Sequence, residues 1–164
     1  KIFKLNKIES LELSFETKPT EVEMQQFMSQ LVSLKHLSIM SQNFRFDSAL
    51  NSLDPNSLES FHVIVMGRYD TFLAKIVAEI LKNQSESIAR LCWSNKRLNV
   101  RKRTYGLNDF ERVYSVDAVA RDQDIAEIRA LLSDGYPRLK NVILNESYYR
   151  VDRKGSNIDV VLIN

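Results

Sequence analysis

The 164-residue chain is poor in the residues that most enzyme classes depend on. It has one cysteine, Cys92, which excludes an internal disulfide framework and a cysteine-based zinc cluster. Two histidines and four glycines leave little for a metal enzyme or a phosphate-cradling loop. No G-x-S-x-G, Walker loop or G-x-G-x-x-G occurs. No run of 18 apolar residues is present, so no transmembrane helix is expected. Nor does charge of one sign dominate. Lys plus Arg number 23 and Asp plus Glu number 21, which excludes a generally basic nucleic-acid coat but not a local patch. The chain starts at Lys1 rather than Met, and no charged-then-apolar leader follows. One domain over 1–164, the C-terminal part of a longer polypeptide, is the expectation. With 44% apolar and 27% charged residues, the remaining composition is that of a globular domain.

What the chain does have is a repeat. Apolar residues recur as apolar, two residues, apolar, one residue, apolar. The copies are Ile8-Leu11-Leu13, Leu34-Leu37-Ile39, Leu58-Phe61-Val63, Ile88-Leu91-Trp93, Leu139-Val142-Leu144 and Ile158-Val161-Ile163. A weaker copy is Phe110-Val113, with Ser115 in its third slot. Their spacing is irregular and averages about 25 residues. Helical patterns lie between them. Thr20 and Glu23 form a capping box after Pro19, and Met24, Phe27, Met28, Leu31 and Val32 share one face. Asp70 to Leu81 and Asp122 to Ser133 repeat that design, the latter stopped by Gly135 and Pro137. A shorter turn is expected around Asp47, Leu50 and Leu53.

Strand alternating with helix fits two α/β architectures. Strands of a doubly wound sheet are covered on both faces and read as continuous apolar runs. In a solenoid, helices cover one face and the strands alternate. Ser10, Glu12 and Ser14 flank Leu11 and Leu13, and His36 and Ser38 flank Leu37, as a solenoid requires. Ile143 and the stretch Ile158 to Ile163 are more apolar and favour the doubly wound alternative.

The phrases IESLELSF, LKHLSIM, LESFHVIV and LKNVILNE resemble leucine-rich repeats. Their uneven, helix-bearing form is similar to the irregular repeats of F-box substrate receptors of cullin ubiquitin ligases, especially fungal ones. The Asn or Cys of that motif is replaced by Glu16, Gln42, Met66, Lys96 and Ser147, and no proline-led F-box helix pattern is present. The resemblance implies a solenoid of six to seven irregular repeats, with parallel strands on the concave face and helices on the convex face. It further implies a non-enzymatic, intracellular substrate receptor, in cytoplasm or nucleus. Such a receptor has a protein partner, needs no cofactor and no membrane, and meets the cullin adaptor through a segment before Lys1.

In that solenoid the outward slots form three columns. The first runs Ser10, His36, Ser60, Arg90, Arg112, Asn141, Val160. The second runs Glu12, Ser38, His62, Cys92, Tyr114, Ile143, Leu162, and the third Ser14, Met40, Ile64, Ser94, Val116, Asn145, Asn164. A partner-binding patch of Arg90, Arg112, Tyr114, Ile143 and Asn145 is expected, because aromatic and Arg anchors tend to dominate interfaces. A cap over those apolar side chains is the plainer reading.

A basic run lies alongside. Arg90, Lys96, Arg97, Arg101, Lys102 and Arg103 fall within fourteen residues that contain no acid. Such a run reads as a solvated loop, as an acidic-partner strip, or as a nucleic-acid or chromatin contact with Tyr105 available for stacking. Trp93 fills an inward slot and reads as core. His36 and His62, with Glu12 one strand away, lack a metal-ligand set. Cys92 and His62 share a column, yet no third group orients them as a nucleophile and base. Asp122 and Asp124 read as charges offsetting a helix dipole.

Overall fold

The computed structural model describes residues 4–15, 19–41, 47–66, 79, 81–96, 118–133, 135–145 and 147–163. The fold is α/β, with one open seven-stranded sheet in the order β1-β2-β3-β4-β5-β6-β7. The strands are β1 (Ser10–Phe15), β2 (His36–Ser41), β3 (Ser60–Met66), β4 (Arg90–Lys96), β5 (Asn141–Leu144), β6 (Ser147–Lys154) and β7 (Asn157–Leu162). Strands β1 to β5 are parallel, and β5, β6 and β7 form an antiparallel meander. The described helices are α1 (Glu21–Met28), α2 (Asp47–Leu50) and α3 (Ala118–Ser133).

The hydrophobic pattern sets the sheet's inner face. Leu37 and Ile39, Phe61 and Val63, Leu91 and Trp93, and Val142 and Leu144 lie side by side in register and are buried. Met24 and Met28 of α1, Ala49 and Leu50 of α2, and Ile128, Leu131 and Leu132 of α3 join the same core. All three helices thus pack on one face. Topology gives the reason. Crossovers between parallel neighbours are right-handed in nearly all sheets, so an order that never reverses puts every crossover on one side. It also leaves no topological switch point, the place where doubly wound domains bind ligands.

Register is repeated by a backbone device. The carbonyl just before one strand accepts two successive N–H groups just before the next. Glu9 O accepts from Lys35 N and His36 N at 2.8 and 2.9 Å, and Lys35 O from Glu59 N and Ser60 N at 2.8 and 3.0 Å. Glu59 O accepts from Ala89 N and Arg90 N at 2.9 and 3.2 Å, and Ala89 O from Lys140 N and Asn141 N at the same distances. A second tie joins the connections. The buried Gln84 amide accepts from Leu58 N at 3.0 Å and donates to Asp54 O at 2.9 Å.

Helix boundaries follow local chemistry. Thr20 Oγ1 accepts from Glu23 N and the Glu23 carboxylate accepts from Thr20 N, which is the expected capping box. Hydrogen bonds from Thr20 hold the Glu23 carboxyl below its usual range. Helix α1 ends at Met28, before the expected Val32, and Val32 is exposed. Helix α3 begins four residues earlier than expected and stops at Ser133, just before Gly135 with φ +134°. The helix expected over 70–81 lies outside the described residues, apart from Glu79 and the buried Leu81.

Two expectations are overturned. Strand β4 pairs directly with β5, Arg90 opposite Asn141 and Cys92 opposite Ile143. The expected column order, with Arg112 between Arg90 and Asn141, therefore does not hold, and the Phe110-Val113 copy lies outside the described residues. Nor is the last copy a parallel repeat. Tyr149 and Val151 alternate inward on β6, and β7 returns antiparallel through a two-residue connection, Gly155-Ser156. Gly155 has φ +62°, a conformation that costs other L-residues energy. Arg153 fastens the meander by donating to the Leu139 and Tyr136 carbonyls.

Two outcomes follow for stability. Gly155→Ala should cost about 1 kcal/mol, with Gly155→Asn costing less, because Asn tolerates positive φ. Gln84→Leu should cost about 1–3 kcal/mol for each of the two backbone groups it strands. Urea midpoints measure both, and an unchanged midpoint for Gln84→Leu would remove the amide's structural role.

Candidate functional site

The face opposite the helices carries the polar slots of the repeat. In the observed register its first row is Ser10, His36, Ser60, Arg90, Asn141 and Arg150. The second is Glu12, Ser38, His62, Cys92, Ile143 and Tyr148. The third is Ser14, Met40, Ile64 and Ser94. These rows replace the expected columns at their late end. Val160 faces the core opposite Val151, and Leu162 packs against the core.

This face is not uniformly open. Ser38, Ser60, His62, Ile64, Cys92 and Ser94 are all buried. At these positions of β2 to β4 the outward slots of the columns are therefore closed to solvent. Ser38 Oγ and His62 Nδ1 lie 3.4 Å apart, and His62 stands opposite Cys92 in register. The sequence-derived pairing of Cys92 with His62 is thus adjacent in space. Both residues are nevertheless within 2% of complete burial, which denies a substrate approach to the thiol. Among the described residues, no three His, Cys, Asp or Glu side chains gather as a metal site.

Exposure returns at the two margins. At β1, Ser10, Glu12 and Ser14 are exposed. At the late margin, Arg90, Asn141, Ile143 and Tyr148 are half-buried and Arg150 is exposed. Tyr148 Oη donates to Asn141 Oδ1 at 2.7 Å. The Arg150 guanidinium donates to Asp152 from Nε to Oδ1 and from Nη2 to Oδ2, each at 2.9 Å, and from Nε to Oδ2 at 3.1 Å. Partial burial, with the positive field of Arg90 next, lowers the His36 pKa.

Of the expected patch, Arg90 and Ile143 occupy neighbouring strands on this margin. Arg112 and Tyr114 lie outside the described residues, as do Arg97, Arg101, Lys102, Arg103 and Tyr105; Lys96 ends β4 opposite Met66. Asn145 sits just after β5 with φ +48°, is exposed, and its amide donates to Asp124 Oδ1 at 3.0 Å. The reading of Asp124 is corrected. Helix α3 starts at Ala118 and has no acid in its first turn, so Asp124 does not serve the dipole there. Its buried carboxylate instead accepts from Asn145 and, at 2.9 Å, from Tyr149 Oη. Burial raises its pKa, and the two hydrogen bonds only partly oppose that.

Sequence reasoning missed Tyr148, Arg150 and Asp152. Their signal was present: alternation through SYYRVDRK, followed by the hairpin pair Gly155-Ser156.

The Asp124 tie gives a pH dependence. An aspartate in the unfolded chain loses its proton at lower pH than this buried one. Rising pH therefore favours the unfolded chain between the ordinary aspartate range and the raised folded value, and the contribution is complete below that window. Asp124→Asn should remove this slope. Thermal midpoints of both proteins across mildly acidic pH measure it; parallel profiles would refute the assignment. Comparison of the chain with protein-family models, curated proteins and solved structures found no match.

Proposed function

We propose that this chain is a leucine-rich-repeat solenoid that binds a protein partner. Support comes from the uninterrupted order of five parallel strands, each joined to the next by the same forked backbone bond, with every described helix on one face. Stacked coils of this kind leave the strand face to present side chains. No described helix is long and apolar enough to cross a membrane. The resemblance to F-box receptors extends the reading to a substrate receptor, acting in cytoplasm or nucleus, that positions a protein for ubiquitin transfer without chemistry of its own.

The docking contacts are assigned to the late margin. Arg90, Asn141, Ile143, Tyr148 and Arg150 form a mixed aromatic, apolar and cationic surface across β4 to β6. Arg and Tyr are typical anchors, since each combines a large contact area with directed hydrogen bonds. Their placement on paired strands limits the entropy lost on binding.

The test is quantitative copurification from native cells. Replacing Arg90 and Tyr148 together with Ala should reduce recovery of a specific partner about tenfold or more, as expected for two anchors worth at least 1 kcal/mol each. Circular dichroism and the thermal midpoint should stay close to those of the parent. Undiminished recovery would discard this surface. Recovery of a cullin adaptor together with the partner would carry the ligase reading, and its consistent absence would confine the function to protein binding.

A further inference from the structure

We infer that Asp152 sets the charge selectivity of the late margin: by compensating Arg150 it makes this surface a site for an uncharged, apolar segment of a partner protein, not for an acidic segment or a nucleic acid. This rests on the reading of β4 to β6 as the docking surface and names what that surface accepts.

An exposed arginine ordinarily attracts carboxylates and phosphates. Here the guanidinium is already matched. Arg150 and Asp152 are two residues apart on β6 and therefore share its outward face. Nε donates to both carboxylate oxygens, at 2.9 and 3.1 Å, and Nη2 donates to Oδ2 at 2.9 Å. A two-point grip of this kind is the ion pair that keeps its geometry at an exposed site. A second carboxylate reinforces it. Asp159 of β7 stands directly opposite Asp152 in register, is exposed, and joins no ion pair among the described residues. Like charges facing each other across paired strands repel. Drawing Arg150 away from Asp152 to meet an incoming carboxylate would leave that repulsion uncompensated. One cation thus faces two carboxylates at these levels of the sheet, and Lys154 lies a level further, beside the turn of the hairpin.

The neighbouring level is apolar. Ile143 stands opposite Tyr148, both half-buried, and Ile163 N donates to Tyr148 O at 2.9 Å, which sets Ile163 alongside. Val161, opposite Arg150, is exposed. Strands β5 and β6 are paired on both sides, so this face is not the open edge of the sheet. Its remaining polar atoms are oriented rather than charged. Tyr148 Oη gives its proton to Asn141 Oδ1 at 2.7 Å, so its oxygen presents lone pairs. Asp152 engages Nε and Nη2 of Arg150, and Nη1 remains to donate. An acceptor and a donor beside an apolar floor complement the N–H and C=O of a peptide unit next to an apolar side chain.

The test is the panning of a random peptide library displayed on phage against the 164-residue chain, with synthetic peptides of the enriched sequences as probes. Sequences whose binding is lost in Tyr148→Ala should be rich in apolar and aromatic residues and poor in Asp and Glu. Their affinity should change less than about twofold between about 0.05 and 0.5 M salt, since screening acts on uncompensated charge. Asp152→Asn uncovers the guanidinium. A scan that places Glu at each position of an enriched peptide should then yield a member that binds this variant about threefold or more tighter than it binds the parent, and the gain should vanish at high salt. Circular dichroism and the thermal midpoint of Asp152→Asn should stay near those of the parent, because the change also relieves the repulsion from Asp159. Enrichment of acidic peptides on the parent, binding that falls steeply with salt, or a scan with no member gaining on Asp152→Asn would each overturn the inference. Enrichment of no Tyr148-dependent peptide would do the same. So would failure of the peptide to bind the protein isolated from its native cells, since a segment of the chain itself would then hold the site. Any of these outcomes, found while Arg90 and Tyr148 still govern partner capture, would remove this account of selectivity and leave the docking surface standing.

Discussion

The structure depends on a forked hydrogen bond made before each of the strands β2 to β5. One carbonyl receives two adjacent N–H groups from the next connection, and this fixes where the next strand begins. Register matters because side chains alternate with a period of two, so a slip by one residue would exchange the two faces of a strand. With the start fixed, Leu11, Leu37, Phe61, Leu91 and Val142 fall in one row and the helices have a continuous apolar floor to cover. The device uses only backbone atoms, so it tolerates connections of very different lengths. This explains how unequal repeats build a regular sheet.

The series ends where a different bond takes over. Lys140 O accepts from Val151 N of an antiparallel strand, and the chain closes with a hairpin. Asp124, Asn145 and Tyr149 then fasten α3 to that meander. A buried carboxylate is a costly fastener, and its raised pKa expresses that cost. It nevertheless satisfies two polar groups that the meander brings against the helix, and a buried polar group left without a partner costs more than the bond returns. The first strand, among the described residues, has half-buried apolar side chains at Leu11, Leu13 and Phe15.

The polar face shows how far a repeat pattern carries. Ser38, His62 and Cys92 follow the pattern as outward residues, and they do lie opposite the helices. They are buried all the same, and the exposed or half-buried outward residues of β1, β5 and β6 lie at the margins. Alternation states which face a side chain takes. It does not state whether that face meets water, because accessibility depends on everything packed nearby.

Composition and local pattern by themselves determined the α/β class, the early strands, the capping box at Thr20 and the inward placement of Trp93. Each is decided within a few residues, by apolar spacing or by a side chain bonding its own backbone. Gly155-Ser156 and the alternation before it also encoded the hairpin. Tertiary structure alone decided that β4 meets β5 across the long connection between them, and that Asn145 and Asp124 serve each other. It likewise decided that the middle of the polar face is enclosed. These outcomes join residues 21 to 51 positions apart. Such pairings are set by which distant segments reach one another in the packed chain, a competition that the spacing of apolar residues along the sequence does not record.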